Sequence, residues 1–174
     1  MSDVGVVSYN VKGIINPIKR KKILTQLKKL NCTIGLLQET HLNDVEHKKL
    51  RRDWVAQIFY AFCSNSRKRG VAILINKSIS FAFQREVKDK EGRYILIVGT
   101  VGGVELSIMN IYAPNEDDPT FFKEVASVMA KEARGIIILG GDFNCVLNEK
   151  MDKLSSNYGP PSRKSKAAKH MLEE

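Results

Sequence analysis

Two apolar segments that each stop at an acidic residue constrain the fold of this chain more than any other feature. One runs from Leu36 to Glu39 and the other from Ile138 to Asp142. When a buried strand ends in an acid, the carboxylate lies at the rim of a sheet, where a ligand reaches it. Asn10 and Tyr112 end two further strand-like segments. The pattern therefore predicts a polar site to which several strand ends contribute.

The acids at these ends are candidates for holding a metal ion and for moving a proton. Oxygen ligands without a Cys/His cluster suit a hard cation such as Mg²⁺, which indicates phosphate-ester chemistry. Glu39 is the predicted metal ligand, with a surface salt bridge or a capping contact as the alternative. Asp142 is a candidate general base or water-orienting group, with an ordinary turn aspartate as the alternative. Gly140 and Gly141 precede it, and their missing side chains are expected to let a substrate approach closely.

Neutral side chains complete the candidate site. Asn144 is expected to hold the same water or a phosphate oxygen, although Asn is also common in turns for local reasons. Asn10 is a candidate for binding the metal or a phosphate, with a turn residue as the alternative. Tyr112 either donates its hydroxyl to a phosphate or belongs to the core. We expect a structural or peripheral role for His41, and an exposed position for His47 in its basic stretch.

An excess of positive charge favours a polyanionic partner. The 174 residues include 28 Lys and Arg against 19 Asp and Glu, so the net charge is +9. Nucleic acid is preferred over an anionic membrane because no amphipathic anchor is evident. A solvated basic helix face is the alternative for any one cluster. The main clusters are Lys19 to Lys22, His47 to Arg52, Arg67 to Arg69 and Arg163 to Lys169.

Composition limits the compartment and the class of protein. Hydrophobic residues make up 43% and charged residues 27%, as expected of a soluble globular protein. No apolar run approaches the roughly 18 residues that span a bilayer, and no secretory signal is visible. The three cysteines are odd in number and far apart, which favours a reducing, intracellular compartment.

Hydrophobic periodicity predicts strands and helices in an irregular alternation. Gly102-Gly103 is expected to close a hairpin, since both positions tolerate positive φ, and Asn16-Pro17 is expected to begin a helix. The segment from Trp54 to Cys63 has no clear assignment. The order fits sheets covered by helices, in one layered α/β or α+β domain spanning residues 1–174. Strands are predicted at residues 4–9, 34–38, 71–75, 81–87, 94–101, 104–112 and 136–139, and helices at 16–30, 44–52, 118–133 and 166–174.

These segments carry the motifs of a known family. In chain order the motifs are Asn10, Gln38-Glu39-Thr40, Asn110-Ile111-Tyr112-Ala113-Pro114 and Gly141-Asp142-Phe143-Asn144. With them the chain resembles the endonuclease/exonuclease/phosphatase family, which includes proteins like DNase I and the apurinic endonucleases. Within it, the chain is most similar to the N-terminal endonuclease of LINE-type non-LTR retrotransposon proteins. That closer similarity rests on residues 17–20, 38–42, 70–74 and 89–95, and the likeness runs from Val6 to about Leu147.

The resemblance implies a fold and an activity. The fold is a DNase I-like, four-layered α/β sandwich in which helices flank two packed mixed β-sheets. The activity is Mg²⁺-dependent nicking of double-stranded DNA, with Mn²⁺ as a substitute ion. The nick leaves a 3′-hydroxyl that primes reverse transcription of the element's RNA. Members of this type tend to prefer A/T-rich sites with flexible steps, which fits readout of groove shape.

The resemblance also assigns roles to individual residues. Glu39 binds the metal, with Asn10 beside it. Asp142 activates or orients the attacking water, and Asn144 helps to position that water. Tyr112 contacts the scissile phosphate. DNA contacts are expected at Asn10, Lys12, Arg69, Tyr112 and Asn115.

Partners and localisation follow from the same resemblance. Double-stranded target DNA is the expected substrate, and the element RNA and a reverse transcriptase domain of the parent protein are the expected partners. No membrane partner is expected. Because the target is chromosomal DNA, we expect the nucleus as the site of action, after synthesis in the cytoplasm.

The chain departs from the family pattern at its C-terminal end. The pattern continues with a strand that carries an aspartate and with a final Ser-Asp-His motif, whose histidine is required for cleavage. Neither motif is present, and the context of His170 does not match. We therefore expect the fold to lack its C-terminal strands, which leaves sheet edges and apolar faces uncovered. We also expect the 174-residue segment alone to be unstable or inactive.

Two other functions stay open on the sequence. One is a related phosphoesterase, such as an apurinic endonuclease or an enzyme of inositol phosphates or phospholipids. The basic charge and the LINE-type motifs argue against the lipid and small-molecule substrates. The other is a catalytically incomplete domain that binds DNA without cutting it, for which salt-dependent binding without cleavage is the expected behaviour.

Overall fold

The computed structural model describes residues 4–146 and 160–173, which belong to two compact units. The first unit comprises residues 1–112 and 133–142, and the second comprises residues 113–132 and 143–174. The elements of the first unit are β1 (Val6–Asn10), α1 (Pro17–Lys29), β2 (Ile34–Gln38), α2 (Asp44–Lys48), β3 (Val55–Ala61), β4 (Val71–Asn76), β5 (Phe81–Lys88), β6 (Tyr94–Val101), β7 (Val104–Tyr112) and β8 (Ile136–Asp142). Those of the second unit are α3 (Thr120–Glu132) and α4 (Arg163–Glu173).

The first unit is built on two four-stranded mixed sheets. The first sheet has the order β1-β2-β4-β3 and the second the order β5-β6-β7-β8. Strands β1 and β2 run parallel, as do β7 and β8, and the other neighbouring pairs are antiparallel. The predicted α/β fold with two packed mixed sheets and accompanying helices is confirmed.

Branched aliphatic side chains fill the space between the sheets. Ile73 and Ile75 of the first sheet share one buried cluster with Ile95, Ile97 and Ile108 of the second. Each fully buried side chain of this size contributes about 1.5–3 kcal/mol relative to an exposed one. Because side chains alternate along a strand, the opposite face of β4 remains for a second cluster, which it forms with α1. The α1 residues of that second cluster are Ile23, Leu24 and Leu27.

Each sheet has an outer strand with exposed apolar residues. Val6 and Tyr9 of β1 are 42% and 40% exposed, and Ile136 and Ile137 of β8 are 59% and 50% exposed. These apolar side chains lie on strands at the edges of their sheets. Within the described residues, no helix combines the length and apolar character needed to cross a bilayer.

Local signals for turns and helix starts are confirmed in the structure. The Asn16 side chain accepts hydrogen bonds from the backbone N–H groups of Ile18 and Lys19, which are otherwise unpaired at the start of α1. Gly102 and Gly103 join β6 to β7 with φ values of 58° and 84°. A side chain at either position would disfavour a backbone with positive φ, so two glycines permit the tight turn of the hairpin.

Two segments differ most from the sequence prediction, while β1, β8 and α4 differ from it by two or three residues at one end. Helix α2 ends at Lys48 instead of continuing to Arg52, because the following residues turn to bring Leu50 and Trp54 into the core. The unassigned segment contains β3, which pairs with β4 in an antiparallel ladder. Its aromatic and half-buried pattern was ambiguous because β3 is an edge strand with only its end residues, Val55 and Ala61, fully buried.

Two buried amides connect the inner faces of the sheets. Asn110 of β7 is completely buried and donates hydrogen bonds to the carbonyls of Leu37 and Ala72, both at 2.9 Å. Its side-chain oxygen accepts a 2.8 Å hydrogen bond from the Gln38 amide. The Gln38 amide also donates to Ser8 Oγ at 3.2 Å. The hydrogen bonds have defined directions, so they fix how the two sheets lie against each other.

Asn110→Ala is expected to lower the free energy of unfolding by about 2–4 kcal/mol, since it leaves buried carbonyls without a donor. Urea denaturation followed by circular dichroism measures this. Asn65→Ala, at an exposed loop position, is the matched control and should change stability by less than about 0.5 kcal/mol. If Asn110→Ala lowers the free energy of unfolding no more than the control does, Asn110 does not hold the two sheets together.

His47 is completely buried, which corrects the expectation that it is exposed. Its Nδ1 lies 2.9 Å from the carbonyl oxygen of Asn43, so Nδ1 carries the proton and Nε2 accepts from Thr40 Oγ1 at 2.9 Å. The ring stacks on Tyr60 with centroids 4.4 Å apart. Burial is the main cause that lowers the pKa of His47 to about 4.

The buried His47 predicts a loss of stability in mild acid. The unfolded chain takes up a proton at His47 near pH 6.5, whereas the folded chain resists protonation until about pH 4, so stability falls as the pH falls through this window. Between pH 7.5 and pH 4.5, urea denaturation should show the wild-type chain losing about 2–3 kcal/mol more than His47→Gln. Equal losses of stability in the wild-type chain and in His47→Gln would show that protonation of His47 is not the cause.

Candidate active site

One side-chain amide joins the two candidate carboxylates. Asn10 Nδ2 donates to Glu39 Oε1 at 2.8 Å and to Asp142 Oδ2 at 2.9 Å. Asn10 ends β1, Glu39 directly follows β2 and Asp142 ends β8. Because β1 and β2 run parallel, their C-terminal ends lie at the same edge of the first sheet. The structure therefore places three predicted site residues, distant in sequence, on one network of hydrogen bonds.

The segment that carries Glu39 has an unusual backbone. Glu39 and His41 have φ values of 52° and 57°, in the left-handed region that residues other than glycine rarely adopt. On one side, the N–H groups of Gly13 and Ile14 donate to the carbonyls of Glu39 and Thr40. On the other side, backbone hydrogen bonds run from Thr40 and His41 to the Arg69–Gly70 segment. The strained conformation persists because both neighbours fix it.

Tyr112 faces the same network from the second sheet. It ends β7 and lies opposite Asp142 in the parallel register with β8. Burial, followed by hydrogen bonding to Glu39 and the negative charges of Glu39 and Asp142, raises the pKa of Tyr112 to about 12. The guanidinium of Arg69 acts in the opposite direction on the same hydroxyl. Tyr112 therefore stays protonated at neutral pH, and its single O–H donor is engaged with Glu39.

The two glycines before Asp142 serve packing, which corrects the expectation that they make room for a substrate. A side-chain carbon at Gly141 would lie 2.0 Å from the carbonyl oxygen of Ile111, and one at Gly140 would lie 2.6 Å from Leu36 Cδ1. Gly141 also has a φ of 142°. The missing side chains let β8 approach β7 and β2 closely, which carries Asp142 to the level of Tyr112.

Two cationic residues lie beside this network. The backbone N–H of Lys12 donates to Asn10 Oδ1 at 3.1 Å, while the Lys12 side chain is exposed. Arg69 lies near enough to lower the pKa of Tyr112, and its guanidinium forms a 3.0 Å ion pair with Glu91. By contrast, Arg20 of the first basic cluster is only 4% exposed and pairs with Glu46, so its charge serves the fold.

His41 lies closer to the site than its expected peripheral role implies. Its Nε2 is 3.6 Å from Glu39 Oε2, beyond hydrogen-bonding distance. This buried nitrogen has no hydrogen-bond partner in the part of the chain that the structure describes. The ring also lies against Gly13, where a side-chain carbon would come within 2.9 Å of Nδ1.

Asn115 and Asn144 belong to the second unit. They line an open cavity of about 320 Å³ there, together with Lys164. The Asn144 side-chain amide donates to the backbone carbonyl of Ala113 at 2.7 Å, and the backbone carbonyl of Asn144 accepts from the Lys164 ammonium at 2.8 Å. The same ammonium donates to the carbonyl of Pro114. Asn144 has a φ of 45° and follows Asp142 by two residues in the chain.

The donor set of the first unit suits a hard cation. Glu39 and Asp142 bring two negative charges onto one amide, and like charges this close favour a cation between or beside them. All the candidate ligand atoms of Glu39 and Asn10 are oxygens, as Mg²⁺ prefers. Within residues 4–146 and 160–173, no group of three or more His, Cys, Asp or Glu side chains forms a metal site.

Several supporting residues escaped the reasoning from sequence. Gln38 and Asn110 belonged to recognised motifs but received no role, although they join the sheets directly behind Glu39 and Tyr112. Arg93 also received none, yet its carbonyl accepts a 2.6 Å hydrogen bond from the Tyr112 N–H. The sequence did offer a signal for these three residues. Each lies within a recognised motif, and Gln38 and Asn110 lie one and two residues from a predicted site residue.

Sequence comparison identifies relatives of the chain. The profile of the Endonuclease/Exonuclease/phosphatase family matches residues 7–159. The chain is also similar to the "Transposon TX1 uncharacterized 149 kDa protein" of Xenopus laevis, with 26% identity over 152 residues. This alignment covers 83% of the chain and 11% of the Xenopus protein.

Solved structures share the fold at low sequence identity. Truncated TDP2 of Caenorhabditis elegans has a TM-score of 0.61 at 20% identity, over 87% of this chain and 66% of that one. The endonuclease domain of TRAS1, a telomere-specific non-LTR retrotransposon, has a TM-score of 0.64 at 14% identity, over 97% and 68%. An AP endonuclease from Archaeoglobus fulgidus has a TM-score of 0.63 at 18% identity, over 98% and 70%. With a family profile that matches most of its length, the chain belongs to the Endonuclease/Exonuclease/phosphatase family.

Proposed function

We propose that the chain is a Mg²⁺-dependent DNA endonuclease of a LINE-type retrotransposon. It nicks double-stranded target DNA and leaves a 3′-hydroxyl that primes reverse transcription. The observation that carries this proposal is the Asn10 amide shared by the Glu39 and Asp142 carboxylates, at strand ends of a member of this family. The similarity to a transposon protein and the net charge of +9 support DNA as the substrate.

The site residues divide the chemistry between them. Glu39 holds Mg²⁺, with Asn10 beside it. When bound, the ion supplies positive charge against the negative charge that develops on the scissile phosphate. Asp142 orients the attacking water and accepts its proton. Tyr112 donates its hydroxyl to a phosphate oxygen, which its raised pKa permits at neutral pH.

Further polar and basic residues are proposed to contact the DNA. Lys12 and Arg69 supply positive charge for the phosphate backbone, and Asn10 and Asn115 supply polar contacts. Asn144 helps to position the water that Asp142 activates. Mn²⁺ is the proposed substitute ion. A preference for A/T-rich targets is proposed from readout of groove shape, because such steps deform readily.

The cellular setting is part of the same proposal. The element RNA and a reverse transcriptase domain of a longer parent protein are the proposed partners. Cleavage takes place in the nucleus, where the chromosomal target is, after synthesis of the protein in the cytoplasm. The chain spans 11% of its Xenopus relative, which leaves room for such a domain in a parent of that size.

In a form of the protein that also carries the downstream family motifs, Glu39→Gln and Asp142→Asn are each expected to reduce Mg²⁺-dependent nicking of supercoiled plasmid at least about 100-fold, because each removes one charge that the reaction needs. Conversion of supercoiled to open-circular DNA on agarose gels measures this, with EDTA as the metal-free condition. Glu86→Gln and Asp53→Asn make the same chemical changes at ion pairs with Lys88 and Lys28 and should retain full activity.

Several outcomes of this assay would count against the proposal. Nicking that survives EDTA would show that the reaction needs no metal ion. Nicking that survives in both site variants would show that Glu39 and Asp142 are not in the active site. A folded wild-type chain that binds plasmid in a salt-dependent manner without nicking it would favour the non-enzymatic alternative. Faster cleavage of an abasic duplex than of intact plasmid would favour the apurinic endonuclease alternative.

The nicked product is expected to carry a 3′-hydroxyl. A DNA polymerase given labelled nucleotides should therefore extend from the nick directly. Treatment of the nicked plasmid with a 3′-phosphatase should not increase the incorporated label. Extension that depends on the phosphatase would show the opposite polarity of cleavage and would exclude the priming role.

A further inference from the structure

The turn between β5 and β6 lies beside the end of β7 and has no role in the function described so far. It comprises Asp89 to Arg93, and it belongs to the sequence motif at residues 89–95. The carbonyl of Arg93 accepts a 2.6 Å hydrogen bond from the N–H of Tyr112. The β6–β7 ladder ends at the pair Tyr94 and Ile111, so this bond extends the ladder to the site residue itself.

Asp89 closes the turn with charged hydrogen bonds. Its Oδ2 accepts from the Arg93 N–H at 2.9 Å and from Arg93 Nε at 2.7 Å. Its Oδ1 accepts from the guanidinium of Arg93 at 3.1 Å. Asp89 is only 8% exposed. A paired, two-point contact of this kind fixes both the main chain and the side chain of Arg93.

The turn is also fixed from outside. Gly92 has a φ of 70°, and a side-chain carbon there would lie 2.8 Å from Phe62 Cα. Glu91 pairs with Arg69 at 3.0 Å, and the carbonyl of Arg69 accepts from the N–H of His41. The turn therefore connects the strand end that carries Tyr112 with the segment next to Glu39.

We propose that the Asp89–Arg93 turn is a positioning element of the active site. Asp89 holds the Arg93 carbonyl in place, and this carbonyl fixes the main chain of Tyr112. The β8 partner, Asp142, holds Tyr112 from the other side. With both sides fixed, the Tyr112 hydroxyl stays directed at Glu39 and at the phosphate that Glu39 serves. This inference rests on the proposed endonuclease function and adds Asp89 and Arg93 to its machinery.

Asp89→Asn tests the proposal, since it keeps the size of the side chain and removes its charge. We expect kcat for plasmid nicking to fall about 10-fold while KM changes less than about twofold. In the Tyr112→Phe background, the same substitution should change kcat less than about twofold, because the positioned hydroxyl is already absent. Equal losses in both backgrounds, or an unchanged kcat in the Tyr112 chain, would overturn the proposal.

Glu86→Gln is the matched control, because it removes an ion pair from the same β5–β6 hairpin without touching the turn. It should leave kcat unchanged in both backgrounds. Should Asp89→Asn fail to fold, as judged by circular dichroism, Arg93→Lys replaces it with the same expectations. Arg93→Lys keeps the positive charge and loses the paired contact.

Amide hydrogen exchange tests the positioning without any activity. The Tyr112 N–H should exchange at least about 10-fold faster in Asp89→Asn than in the wild-type chain, and Ile97 and Ile108 should not change. Glu86→Gln should leave Tyr112 protected. Unchanged exchange at Tyr112 would overturn the positioning role. If a form of the protein that also carries the downstream family motifs does not nick DNA, the endonuclease proposal fails, and exchange alone decides the role of the turn.

Discussion

The hydrogen bond between the buried amides of Gln38 and Asn110 is the interaction on which the site depends. Apolar side chains between two sheets set their separation, but they permit sliding, because apolar contact has no direction. The Asn110 amide, bonded to two carbonyls of the first sheet, removes that freedom. Glu39 follows Gln38, and Tyr112 lies two residues after Asn110. The position of a carboxylate against a phenol is therefore set by a polar contact inside the core.

The conformation of the site is unfavourable in free energy, and favourable interactions in the rest of the first unit offset it. Glu39 and His41 hold a left-handed backbone that costs of the order of 1–3 kcal/mol per residue. Two carboxylates share one amide, and the buried Nε2 of His41 lacks a hydrogen-bond partner among the described residues. Backbone hydrogen bonds on both sides of the Glu39–His41 segment and a large aliphatic core offset these unfavourable contributions. A loss of core packing should therefore disturb the site before it unfolds the unit.

Local patterns predicted most of the fold and the strand-end residues that the first unit brings together. The bounds of β2, β6 and β7 follow from apolar runs and the Gly102-Gly103 turn, because these signals are local. The burial of His47 and the packing role of Gly140 depend on residues distant in sequence, so the local pattern misled. The contact of Asn110 with Gln38 spans 72 residues, and no periodicity reports it. Resemblance to a family located the motifs, but the sharing of one amide by both acids depends on the folded structure.

The pairing of Tyr112 with Asp142 has a consequence for where the chain tolerates added length. A single residue inserted into β7 or β8 would move one member of this pair to the other face of the sheet, since side chains alternate. The Gly102-Gly103 turn lies at the opposite end of the β6–β7 hairpin, about 25 Å away for eight residues of strand. Extra residues there leave the register intact. A fluorophore or affinity peptide placed in that turn would therefore report on the protein without shifting the residues of the candidate site.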